Sequence, residues 1–399
     1  MRPDWRASSH RPEDHVPAAD WDRAPWNRWA FQHVREMVPT VEVWRGAGPE
    51  SLLAEARQDI GRIAVARADG TKSTVSGVLE ATFTDGFIVI HRGRIIAEQY
   101  GNGMTERTLH LSQSVAKSVT ASVAGVLIHG GLLDPAAPVT RYLPELATTA
   151  YAGATVQHVL DMTSGVAFNE EDYTDRFSDI GQTDVASGWK PFPLEPPPSG
   201  AWPASIWDQI LTLKTKEAGH GSRFQYRSIE TDVLAFCMER ASGTRLATLV
   251  SEHLWQPMGA GESACFTVDR SGYALANGGF NATLRDYARV GLVHLGMGTF
   301  NGRSILPAEW IDDIRRGSHG LMDDYGRQLF PNGVYRNQFW VADRARETVQ
   351  ARGIFGQLIY IAPEHELVVA KLSSYPSPVI LQHSQDILAA INAIAAELS

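Results

Sequence analysis

The chain has 399 residues, enough for one large domain or two closely packed ones. Apolar residues make up 44% and charged residues 20%, an ordinary globular composition, and a net charge of −9 without a basic run argues against nucleic acid or an anionic membrane surface as a partner. There is no run of about 18 apolar residues and no apolar leader segment. The two cysteines, Cys237 and Cys265, make neither a disulfide framework nor a metal cluster, so a cytoplasmic protein without metal or cofactor is expected.

Residues 1–28 are polar and proline-bearing and read as an extended arm. From Asn27 to Val38, apolar residues at Trp29, Phe31, Val34 and Met37 have helical spacing. Residues 45–80 show no clear pattern. Gly86–Ile90 and Arg94–Gln99 read as a β-hairpin around Arg92-Gly93. Ser114 to His129, SVAKSVTASVAGVLIH, has apolar residues at Val115, Val119, Val123 and Leu127, which keep one helical face against a core, and Gly130-Gly131 supplies a stop. A short helix follows at 156–162, ended by Gly165. Residues 167–222, rich in Asp, Gly, Pro and aromatics, read as a loop too long for a mere connection and hence functional. Helices are predicted at Ile229–Arg240, Arg245–His253 and Thr283–Leu295. Strands are predicted at Gly356–Ile361 and Glu366–Leu372 around Pro363, and an amphipathic helix closes the chain at His383–Leu398. Strands early, helices in the middle and strands again late predict an α+β arrangement. Residues 29–105 and 270–399 would build an antiparallel sheet domain flanked by helices, 106–269 an inserted helical domain, with the active site at their interface.

The chemistry is concentrated in Ser114-Val-Ala-Lys117. Residues three apart share a helical face. A serine hydroxyl is a poor nucleophile until a base takes its proton. A lysine serves as that base only when burial lowers its pKa. The helix start adds free backbone N–H groups suited to an oxyanion. A second Ser-x-x-Lys, Ser187 to Lys190, runs into Pro191 and Pro193 and cannot begin a helix. A Gly-x-Ser-x-Gly elbow, His-Glu-x-x-His and Cys-x-x-Cys are all absent.

Several segments, in order, resemble the serine β-lactamase/penicillin-binding-protein superfamily in its class C and carboxylesterase branch. They are Ser114–Lys117, Gly130–Val139, Thr155–Gly165, Gln225-Tyr-Arg-Ser228, Asn277-Gly-Gly and Thr283–Arg289. Ala24–Phe31 and Asn169–Asp175, continuing into Thr183-Asp184, are similar to members that cleave linear amides. The resemblance implies the β-lactamase/DD-peptidase-like fold. It makes Ser114 the acylated nucleophile, Lys117 its base and Tyr226 the third member. A phenol beside a buried ammonium would be favoured in its ionised form and relay protons. The resemblance further implies an oxyanion hole from the amides of Ser114 and Ile354. Tyr173 would bond the departing amine, Asp184 a substrate ammonium, and Asn277 the amide. The strand that carries Lys-Thr-Gly in β-lactamases here reads Ala351-Arg-Gly-Ile-Phe-Gly356, which argues against antibiotic hydrolysis and leaves β-lactamase or D-amino-acid peptidase-like activity as the least favoured alternative. The expected substrate is a small linear amide, with short esters as the alternative. A homodimer is compatible with these readings, and a dead binding protein is disfavoured because Ser114 and Lys117 are both present.

Overall fold

The computed structural model describes residues 15–197, 200–317 and 320–398. The first half of the expected arm therefore lies outside the described residues. Eight strands form the main sheet: β1 (Ala54–Glu55), β2 (Thr84–His91), β3 (Arg94–Tyr100), β4 (Val334–Arg336), β5 (Phe339–Asp343), β6 (Thr348–Gly353), β7 (Gln357–Ala362) and β8 (Leu367–Ser373). Their spatial order is β4-β5-β6-β7-β8-β2-β3-β1, antiparallel throughout except where β1 meets β3. The two ends of the chain join at β8 and β2, where Val369 opposes Val89 and Lys371 opposes Phe87. In the β2–β3 turn, Arg92 and Gly93 both take positive φ, 49° and 72°, which matches the right-handed twist of the flanking strands.

Side chains alternate across each strand, so the sheet has two apolar faces. Ile88, Ile90, Val368 and Ala370 join one core with α1 (Val115–His129), α2 (Ile229–Ser242) and α3 (Leu284–Leu295). Phe87, Val89 and Val369 face α4 (Leu381–Leu398), which supplies Ile387, Ile391 and Ile394, and the helix Val75–Ala81. A smaller sheet, with strands Thr40–Val43, Ala264–Thr267, Phe280–Ala282 and His110–Leu111 in spatial order, leads the chain into α1.

α1 is enclosed on nearly every side, not along one face. Of its 15 residues only Val126, Ile128 and His129 escape full burial. The valine repeat marks one side; the Ala, Ser, Thr and Gly positions between are small enough for α2 and β6 to close over the others. Gly125 shows how tight this is, since a Cβ there would lie 2.4 Å from Trp310 Cγ. A mid-helix Gly→Ala change alone favours the helix by about 1 kcal/mol. Overpacking a core costs about 1–3 kcal/mol. Gly125→Ala should therefore lower the urea unfolding free energy by up to about 2 kcal/mol, and a more stable variant would contradict the packing described.

Three local expectations are corrected. The single helix expected at Asn27–Val38 is two short ones, Asn27–Ala30 and Val34–Met37. The Phe31 carbonyl accepts from Leu111 N at 2.8 Å, a tertiary bond that takes the place of a continuing helical ladder. The stretch 167–222 is not one loop, because helices Asp179–Ala186 and Ile206–Thr212 start at Ser178 and Ser205, each accepting a backbone N–H. Residues 21–28, read as part of an arm, fold onto the protein. Trp21 is buried and its indole N–H reaches the Trp189 carbonyl at 2.8 Å, while Asn27 Nδ2 donates to the Tyr375 carbonyl at 2.8 Å.

Candidate active site

Ser114 stands at the start of α1 with φ −64° and ψ −4°. The residue before it, Gln113, is held in the left-handed region at φ 50°, a conformation that a non-glycine residue keeps only when its surroundings impose it. Ser112 does this by tying itself to the Phe280 carbonyl through both its N–H and its hydroxyl, each at 2.9 Å. One turn on, Lys117 Nζ lies 2.7 Å from Ser114 Oγ and donates to the Asn277 carbonyl at 2.6 Å. Lys117 is buried, and this loss of water brings its pKa down to about 8, against the opposing charges of Glu170 and Asp232. The amine can therefore shed its proton near neutrality and accept one from the serine across the same contact.

Tyr226 reaches the same point. Its ring stacks on Trp340, with centroids 5.7 Å apart, and the Lys117 ammonium lies over its face, 5.1 Å from the centroid. The expected ionised phenol is not found. Burial pushes the phenol pKa up and the Glu170 charge pushes it further, with only a hydrogen bond to Ser114 acting the other way. Burial and the Glu170 charge thus leave the resting group a neutral phenol, able to donate a proton rather than to take one.

Ser114 occupies the junction of two adjoining lobes. The larger, about 610 Å³, is bordered by Tyr226, Trp340, Arg352 and Tyr375; the smaller, about 300 Å³, by Gln113, Asp184, Trp189 and Asn277. Tyr173 and Ile354 border both. The six sequence candidates around Ser114 thus converge on one cleft, but two of them are already committed. Tyr173 donates its phenolic proton to Glu170 Oε1 at 2.9 Å. Asn277 gives its side-chain amide to Asp232 at 2.5 Å and its carbonyl to Lys117, so its observed contacts hold the lysine in place. Asp184 has a raised pKa, first from burial and next from the neighbouring Asp22, with Lys190 and Arg23 pulling it down. The second Ser-x-x-Lys is spent structurally: Lys190 pairs with Asp22, and Ser187 bonds the Asp184 carbonyl.

Four participants escaped the sequence reading. Glu170 accepts from Ser228 N and Ser228 Oγ, each at 2.5 Å, as well as from Tyr173, and burial raises its pKa despite the pull of Lys117. Asp232 also accepts from the Ala276 amide at 2.9 Å, and burial raises its pKa to about 7. Gln113 presents a buried Nε2 with no protein partner at the smaller lobe. Trp340 forms a wall of the larger one. A Glu following Asn169 and an Asp in α2 carried no spacing signal; only the fold brings them to Lys117. Among the described residues no group of three His, Cys, Asp or Glu side chains could hold a metal ion, and no helix is long and apolar enough to cross a membrane.

An antiparallel sheet flanked by helices, with a half-buried serine and a buried lysine at a helix start, defines a hydrolase of the beta-lactamase family. The family model described as Beta-lactamase matches residues 71–390, and the chain belongs to that family. The chain is 37% identical over 365 residues to the 6-aminohexanoate-dimer hydrolase of Paenarthrobacter ureafaciens, covering 90% of this chain and 88% of that protein. A solved structure from Bacillus anthracis, whose name assigns it the same activity provisionally, superimposes with a TM-score of 0.87 at 28% identity, covering 98% and 99% of the two chains. Esterase EstB of Burkholderia gladioli is 29% identical over 191 residues, 46% of this chain and 45% of that one.

Proposed function

We propose that the chain is a serine hydrolase of linear amides, with the 6-aminohexanoate dimer as the model substrate. The observation that carries this reading is the 2.7 Å contact between Ser114 Oγ and a lysine whose burial lowers its pKa to about 8. Neutral Lys117 takes the hydroxyl proton as Ser114 Oγ bonds to the substrate carbonyl carbon. The amides of Ser114 and Ile354 receive the oxyanion. The neutral phenol of Tyr226 gives its proton to the departing nitrogen, the C–N bond breaks, and the proton held by Lys117 restores the phenol. Water then releases the acid from the acyl-enzyme by the reverse transfers. Asp184 in the smaller lobe suits an ammonium at the far end of the acyl chain, and the named relatives support an amide of that kind.

Hydrolysis of short esters is the second reading, favoured by the likeness to EstB. The two differ in what the leaving group needs, because an amine departs poorly without a proton and an alkoxide less so. Tyr173 borders both lobes and its hydroxyl can turn from Glu170 to that nitrogen. Tyr173→Phe should lower kcat for the linear dimer by about 10²-fold while changing p-nitrophenyl acetate hydrolysis less than about threefold. Equal losses on both substrates would remove Tyr173 from contact with the departing nitrogen, and a parent enzyme that cleaves only the ester would decide for the second reading.

A further inference from the structure

The two lobes that meet at Ser114 carry different charged groups. Asp22, Arg23 and Asp184 border the smaller, with Asp22 paired to Lys190. Among the described residues bordering the larger, Arg352 is the one basic side chain. It sits on β6 two residues before Ile354, about 7 Å along an extended strand. Its Nη1 donates to Gln350 Oε1 at 2.8 Å, which sets the direction of the planar fork, and its Cζ lies 5.6 Å from the centre of the Phe330 ring. Burial raises the pKa of the Tyr375 phenol and the charge of Arg352 opposes it, so the guanidinium shares this lobe with that ring. Leu358, Phe330, Trp340 and Ile380 also border this lobe, apolar or aromatic surface of the kind that fits methylene groups.

Tyr226 decides which part of the substrate occupies this lobe. It borders the larger lobe and not the smaller. The proton for the departing nitrogen is therefore delivered from the larger lobe, and the leaving amine with its chain lies there. Four acids also border this lobe. Glu170 is held by Ser228 and Tyr173, Asp172 by the amide and hydroxyl of Thr174, Asp323 by the amide of Gly326, and Glu171 stands on the exposed rim.

Resting on the linear-amide reading above, we propose that Arg352 is a specificity-determining residue that binds the free carboxylate at the end of the leaving amine. The substrate class becomes a zwitterion: ammonium toward Asp184, scissile amide at Ser114, several methylenes along the apolar wall, carboxylate at Arg352. Arginine suits this because its fork meets both carboxylate oxygens, and it stays charged at every working pH.

The test compares the linear 6-aminohexanoate dimer with the same dimer capped as a C-terminal carboxamide, in the parent, R352Q and R352K. The parent should favour the free acid by at least tenfold in kcat/KM. R352Q should lose that preference through a higher KM, with kcat/KM for the carboxamide within about twofold of the parent, and R352K should regain part of it. p-Nitrophenyl acetate hydrolysis, equal in all three, shows that each variant is folded and acylated. A preference that survives in R352Q, or equal losses on acid and carboxamide, overturns the assignment. If the ester is hydrolysed but neither dimer is, the linear-amide reading has failed, and Arg352 is then judged separately. N-acetyl-6-aminohexanoate should inhibit ester hydrolysis more strongly than its carboxamide in the parent and not in R352Q, and equal inhibition in the parent overturns the assignment.

Discussion

Ser114→Ala should lower kcat for every amide or ester substrate by roughly four to six orders of magnitude, the scale seen when a serine nucleophile is removed from an acyl-transfer site. The loss is that large because nothing nearby can replace the hydroxyl. Lys117 is committed to the Asn277 carbonyl at 2.6 Å, and Tyr226 is a neutral phenol whose pKa burial has raised. The folded state should change little, since the missing hydroxyl meets only the side chains of Lys117 and Tyr226 at the junction of the two lobes. A fluorophosphonate probe checks this directly: the parent should be labelled on the peptide carrying Ser114 and Ser114→Ala should not. A parent that resists labelling, or a variant that still turns over, would show that acyl transfer does not run through this serine.

The second large effect concerns protons. The pKa of Lys117 is lowered to about 8 by burial, so its charged form gives way to the neutral amine as pH rises through that value. Only the neutral amine can accept the serine proton. Activity should therefore be low at pH 6, rise with an apparent pKa near 8 in kcat/KM, and reach its plateau above it. Lys117→Met should remove both the rise and about 10²–10⁴-fold of the rate. The direction is decisive. A depressed lysine gives a rise with pH at the free-enzyme pKa, whereas a site that needed charged Lys117 would give a fall. A flat profile between pH 6 and 9 in the parent, with chemistry rate-limiting, would assign the base to another group. Asp232→Asn offers an independent handle. It removes a charge that favours the ammonium, so the rise should move to lower pH.

The elements most legible in the chain were those whose pattern is local. The β2–β3 hairpin was announced by apolar runs about Arg92-Gly93, α3 by Thr283 before an apolar repeat, and the closing strands by alternation on either side of Pro363. Hidden elements were those whose form depends on distant partners. The break after Ala30 follows from a bond to Leu111, and the helices within 167–222 are too short for periodicity to show. α1 displays the limit well: its valine repeat spoke of one buried face, yet small residues let the fold bury nearly all of it.

By itself the amino-acid order determined the nucleophile candidate, its lysine one turn on, and the family, because a helix of 3.6 residues per turn brings Ser114 and Lys117 together without help from the rest of the chain. Tertiary structure alone decided the charge states. Enclosure of α1 lowers the lysine, burial beside Glu170 keeps the Tyr226 phenol protonated, and Asp232 claims the Asn277 amide that would otherwise face a substrate. It also set acidic Asp184 and basic Arg352 in separate lobes around one serine, a polarity that depends on residues far apart in the chain and on how much water the fold leaves around them.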